Sequence, residues 1–263
     1  MLITERDKAI LHALQEMKFL RTSQLAQLCF GRLNSTVRLR LRRLLDAGLI
    51  KTWVTALDEQ NVYSLGRKGL AVLVGKSACE EISFNIPRRL ERRLDHLTAI
   101  NDFRINLALA LPTQGGVIVK WLSEWQIKQP GKQGLVPDAL FRLRVGQQTR
   151  TFSLEVDLGG EPAQKVFAPK LHTHVTFRGY NGLVPENLVV VTHTLRRLYT
   201  LLEVATREPG AADFLFTLRN NTSREQVLGK IWTSPRLAFA TPGAVEFISL
   251  LDFFGGTAGG LHD

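Results

Sequence analysis

Two cysteines, Cys29 and Cys79, are all that the 263 residues contain. That is too few for a disulfide framework or a cysteine-based zinc site. Cys29 lies in an apolar helical run and is expected in the core. No apolar stretch approaches the roughly 20 residues of a membrane span, and Met1 leads into a charged amphipathic segment with no leader pattern. Dinucleotide fingerprints and P-loops are lacking too, since Gly159-Gly160 carries nothing else of either motif. These absences predict a soluble, cytoplasmic protein with no membrane role.

Hydrophobic content of 44% and charged content of 22% are ordinary for a globular chain long enough for one large or two modest domains. The net charge of +10 is unevenly spread. Residues 1–95 hold 17 Lys/Arg against 10 Asp/Glu, and residues 96–263 hold 17 against 14. A basic first third points to a polyanion, nucleic acid before membrane surface.

In that third, Thr4 with Asp7 opens a helix through Ile10, Leu11, Leu14 and Met17 to about Lys18. A second helix starts at Thr22 or Ser23, with Leu25, Leu28 and Cys29 on one face, and Phe30-Gly31 breaks it. A third starts at Asn34-Ser35, turns Val37, Leu41, Leu44 and Leu45 inward, and stops at Gly48. Two strands, 49–54 and 61–65, follow with a wing loop at 55–60, and a closing helix opens at Leu65-Gly66-Arg67-Lys68. This order predicts a winged helix-turn-helix, whose third helix enters the major groove. Its outward face carries Ser35, Thr36, Arg38 and Arg42, flanked by Arg40 and Arg43, and Leu39 also faces out. Arginine pairs bidentately with guanine or with phosphate. Lys51, Arg67 and Lys68 extend the expected DNA-binding set. Leu44 to Ile50 resembles the end of the recognition helix in bacterial winged-helix regulators.

Domain boundaries are expected at 1–75 for the winged helix, 76–87 for a linker, 88–254 for a second domain and 255–263 for a flexible glycine-rich tail. A helix from Arg88 to Leu111 places Leu90, Leu94, Leu97, Ile100, Leu107 and Leu111 inward, and Asp95 and Asp102 are expected to pair with arginines on a solvated face. A strand then runs from Val117 to Gln126, a hairpin joins 139–145 to 151–157, and a helix spans 161–177 with a kink or split at Pro169. Buried strands at 188–191 and 213–218 bracket a helix at 196–206. His172, His174 and His193 are read as surface residues, because no further ligand completes a metal spacing.

Asp138 begins one hairpin strand and Glu155 lies near the end of the other, so both carboxylates converge at one end. Such a pair suits a hard divalent cation, which would polarise a phosphodiester and acidify bound water. Helix, three antiparallel strands, helix and buried strand resembles the restriction-endonuclease-like core, and Pro137-Asp138 with Glu155 looks like its PD-(D/E)xK motif. The motif's lysine position holds Asp157; Lys165 or Lys170 in the next helix would replace it, with Lys170 favoured by helical phase. The fold class expected is therefore α+β, a winged helix followed by a nuclease-like domain with a mixed sheet.

The full pattern also includes His96-Leu97, Asn101-Asp102, Trp121 with Glu124, Pro137 to Ala139, Leu154 to Asp157, and Lys170-Leu171. It resembles the replication-relaxation family of plasmids and integrated mobile elements. The resemblance implies a double-stranded-DNA-binding transcriptional regulator or a replication or transfer accessory factor, expected to be a homodimer meeting other proteins of its element. DNA binding would need no cofactor. The alternative is an active endonuclease or nickase using Mg2+ or Mn2+ at Asp138 and Glu155, with Asp157 assisting and Lys170 stabilising the transition state.

Overall fold

The computed structural model describes residues 2–53, 61–75, 90–128, 136–241 and 244–255. The expected wing loop at 55–60, the linker at 76–87 and all but the first residue of the 255–263 tail lie outside the described residues. The chain forms two compact units, Met1–Ile105 and Asn106–Asp263, so the division falls inside a long helix. Among the described residues no helix is long and apolar enough to cross a membrane.

In the first unit, Thr4 caps α1 (Glu5–Met17), its hydroxyl accepting from the Asp7 amide at 3.3 Å while the Asp7 carboxylate takes the Thr4 amide at 2.7 Å. Lys18, at φ 63°, stops the helix. A short strand that hydropathy did not signal, β1 (Phe19–Arg21), precedes α2 (Thr22–Phe30), which ends on Gly31 at φ 76°. Cys29 is half-buried at the end of α2 instead of in the core, and desolvation pushes its thiol up to about 11.

Asn34 caps α3 (Ser35–Asp46), accepting from the Val37 amide at 3.1 Å. The antiparallel strands β2 (Ile50–Trp53) and β3 (Val62–Leu65) follow, in sheet order β1-β3-β2. In α4 (Arg67–Val74), a Cβ on Gly69 would lie 2.1 Å from the Leu49 carbonyl, so this close approach requires glycine. Ile10, Leu11, Leu14, Leu25, Val37, Leu41 and Leu44 fill the core.

The helix α5 (Leu90–Ala110) contributes its stretch up to Ile105 to this unit. Leu94 packs with Phe19 and Val62. Asn101 donates to the carbonyls of Met17 (3.1 Å) and Phe19 (2.7 Å), satisfying acceptors freed where α1 ends. Asp102 pairs with an arginine as expected, but it is half-buried instead of lying on an open solvated face. It accepts from Gln24 at 2.6 Å and meets Arg21 at 3.4 Å, while Arg21 also donates to the Thr98 hydroxyl at 2.7 Å. The Asn-Asp motif thus clamps α5 onto the turn between α1 and α2.

The second unit is built on a five-stranded mixed sheet. Its strands, in spatial as in chain order, are β4 (Gly116–Ser123), β5 (Ala139–Val145), β6 (Gln148–Asp157), β7 (Asn187–Thr192) and β8 (Leu215–Leu218). The first three pair antiparallel, and β6–β7 and β7–β8 are parallel. The strand expected to reach Gln126 stops at Ser123. There Gln126 accepts the Ser123 amide at 2.9 Å and opens the one-turn α6 (Glu124–Ile127).

On one face lie α7 (Ala163–Thr176) and α8 (Leu195–Ala205). Phe167, Leu171, Leu198, Leu201 and Leu202 from these helices pack on Leu188, Val190 and Phe216 of the strands. Pro169 does not split α7, and its carbonyl accepts from the Thr173 hydroxyl at 2.7 Å. Beyond β8 come β9 (Lys230–Trp232), α9 (Pro235–Ala238), β10 (Ile248–Ser249) and α10 (Asp252–Gly255), each too short to show a hydropathy period. The architecture is α+β, with the core order expected from the sequence.

Candidate functional site

Two groups of charged side chains stand out, one in each unit. On α3, Ser35, Thr36, Arg38, Arg42 and Arg43 are exposed, and Leu39 is 53% exposed among them. Arg42 pairs with Asp46 one turn on at 3.0 Å, both well exposed, a contact worth little. No carboxylate among the described residues pairs with Arg38 or Arg43.

Arg40 behaves differently. Its guanidinium turns inward and grips Asp7, with Nε 2.5 Å from Oδ1 and Nη2 on Oδ2. Asp7 is fully buried. Burial alone would raise its pKa, but the bonds from Arg40 and Thr4 outweigh this and hold it below the ordinary aspartate value. Lys51, Arg67 and Lys68 are exposed, and the Lys68 stem runs beside Gly48 at the end of α3.

In the second unit, strand alternation turns Ser153, Glu155 and Asp157 toward α7. Lys170 and His174 lie one helical turn apart on α7, so both reach Glu155. Lys170 Nζ is 2.7 Å from Glu155 Oε2, and His174 Nε2 is 3.0 Å from Oε1. An ionised carboxylate can only accept, so Nε2 carries the proton. Ser153 Oγ stands 3.5 Å from the other ring nitrogen.

His174 is therefore a buried partner of Glu155 and not the surface histidine expected from spacing. His172, one residue from the buried face, is exposed and meets Glu208 at 3.1 Å, and His193 is exposed. Burial would raise the pKa of Glu155, but the His174 bond and the Lys170 charge outweigh it and leave it lowered. Lys170 is raised: desolvation would depress it, but Glu155, then Asp138 and Asp157, more than compensate.

Asp138 ties β5 to β6. Its Oδ2 accepts the Val156 amide at 2.8 Å and its own amide donates to Leu154 at 3.1 Å. Asp157 is held bidentately by Arg197 at 2.9 and 2.8 Å and also accepts the Gly159 amide at 2.9 Å. Arg197, on α8, lies forty residues away and had no signal in the sequence. Lys165 is exposed on α7 and is not among these contacts.

A divalent cation needs oxygen ligands, most often carboxylates, with lone pairs to give. Here Glu155 spends one oxygen on Lys170 and the other on His174, and Asp138 spends Oδ2 on a backbone amide. Among the described residues no three His, Cys, Asp or Glu groups are arranged to hold a metal. The side chains as placed do not fit a two-carboxylate metal centre.

Strand order defines an α+β second unit on a mixed five-stranded sheet, and the first unit joins its helices to a three-stranded sheet of its own. The family model described as replication-relaxation matches residues 11–186, and the chain belongs to that family. No curated protein sequence matches it. Among solved structures, the restriction endonuclease FokI overlaps 84% of this chain at 12% identity with a TM-score of 0.32. The overlap covers 44% of FokI, so this chain spans less than half of that enzyme's length.

Proposed function

We propose that the protein binds double-stranded DNA through α3, presented by a winged helix-turn-helix, as a transcriptional regulator or a replication or transfer accessory factor of a mobile element. One observation carries this reading. Arg38, Arg42, Arg43, Ser35 and Thr36 are all exposed on one helix whose opposite face is fully buried. That is the side-chain inventory of a helix meeting phosphates and guanine edges. Lys51, Arg67 and Lys68 extend the cationic surface. The second unit fits a role in holding DNA or a second copy of the chain, since its carboxylates are bonded internally.

The test is a binding titration of duplex DNA across a range of salt. Arg38→Ala and Arg42→Ala should each weaken binding, by about 1–3 kcal/mol where the side chain reads a base. Unchanged affinity for both would remove α3 as the reading helix. In parallel, supercoiled DNA is incubated with Mg2+ or Mn2+. Nicking that Asp138→Ala and Glu155→Ala both abolish would replace the binding role with an endonuclease.

A further inference from the structure

A groove of about 500 Å3 runs between the start of α1 and the flank of α3. Thr36, Leu39 and Arg43 form its α3 wall, and the same three side chains are exposed on the proposed reading face. The opposite wall carries Thr4, Glu5 and Arg6, with Phe30 beside it. The groove is thus continuous with α3 but includes a helix that the sequence did not connect with DNA.

Its charge is one-sided. Arg6, Arg40 and Arg43 line it, against a single carboxylate, Glu5, which already takes the Lys8 ammonium at 2.8 Å. Asp7 is buried beneath and is consumed by Arg40. Arg6 sits over the Phe30 ring, 5.0 Å from its centroid, which restrains the guanidinium without neutralising it. No carboxylate among the described residues pairs with Arg6 or Arg43.

We propose that this groove seats the DNA backbone beside α3, with Arg6 and Arg43 on opposite walls contacting phosphodiester oxygens. The Thr36 hydroxyl adds a neutral donor of the kind that phosphates accept. The proposal rests on DNA binding through α3 and adds to it a division of labour. Arg38 and Arg42 read on one side of the helix, while Arg6 and Arg43 anchor on the other without regard to sequence. The apolar contribution of Phe30 and Leu39 suits the sugar edges between phosphates.

The experiment uses the full chain and a random-sequence duplex, with binding followed by fluorescence anisotropy over a range of salt. Removing one phosphate contact should lower the slope of log K against log salt by about 0.9, which is roughly an 8-fold loss at about 0.1 M salt. Arg6→Ala is expected to show that loss on every duplex tested, and Arg6→Lys to restore the slope. If Arg38→Ala weakens binding and Arg6→Ala leaves affinity and slope unchanged, the groove is not a backbone seat although α3 still reads DNA. If neither variant matters, DNA binding through α3 falls as well. Tight binding of AMP that Arg6→Ala abolishes, with duplex affinity untouched, would assign the groove to a free nucleotide and overturn the proposal.

Discussion

The two units handle charge in opposite ways. On α3 most arginines face solvent, and their charge is left for a partner. Around β6 the carboxylates face inward, and nearly every oxygen meets a cation or an amide of the same chain. A charge that the fold has neutralised stabilises the fold, whereas an exposed charge contributes little to it and remains available for binding. Residue type alone does not separate the cases, since Arg40 and Arg43 stand three positions apart on one helix and fall on opposite sides of the division.

That pair offers the largest test. Arg40→Ala strands a buried carboxylate and should cost roughly 3–5 kcal/mol of the first unit's stability in urea, whereas Arg43→Ala should leave stability within about 0.5 kcal/mol and act on DNA affinity alone. Equal stabilities for the two variants would dissolve the contrast. Next in size, His174→Ala removes one of the two side-chain partners of Glu155 and opens a cavity, for an expected loss of about 2–4 kcal/mol in the second unit. Duplex affinity should hardly move; a large fall would mean that this site touches DNA after all.

The pH dependence follows from the same pairs. Asp7 and Glu155 have depressed folded pKa values, so their stabilisation is complete above their unfolded values of 3.8 and 4.5 and is lost as pH falls through the lower folded ones. Lys170 is raised, so its share is complete below 10.5 and is lost as pH climbs through the higher folded value. Denaturation series at acid and alkaline pH should show both shoulders, and Lys170→Met should erase the alkaline one. The smallest expected effect is that of Mg2+ or Mn2+ on the melting temperature of the wild type, which should be nil. Saturating metal at a real site stabilises by about 2.7 kcal/mol at a hundredfold excess over Kd, so a clear upward shift would reopen the metal centre.

Much of this molecule was legible from periodicity. The caps at Thr4 and Asn34, the apolar faces of α1 and α3, and the hairpin of β5 and β6 all lie close to where the pattern puts them. Helical phase favoured Lys170 over Lys165, and Lys170 is the lysine that meets Glu155. His174 was legible in principle, four residues beyond Lys170 on the same helical face, but the spacing of His172, His174 and His193 completes no metal site and pointed to surface residues for all three. Arg197, Arg21 and Gln24 carried no local signal, because each finds its partner across a long loop of chain.

The sequence by itself determined the longer helices and strands, and which residue types were available for chemistry, because those depend on neighbours within a turn or a pleat. Only the tertiary structure decided which charges are spent. Asp138 and Glu155 read as ligands until an amide, a lysine and a histidine are seen to occupy them, and Arg40 reads as a DNA contact until Asp7 is found beneath it. The physical reason is that electrostatic pairing acts over a few ångströms of space, and space of that kind is created only when elements far apart in the chain are packed together.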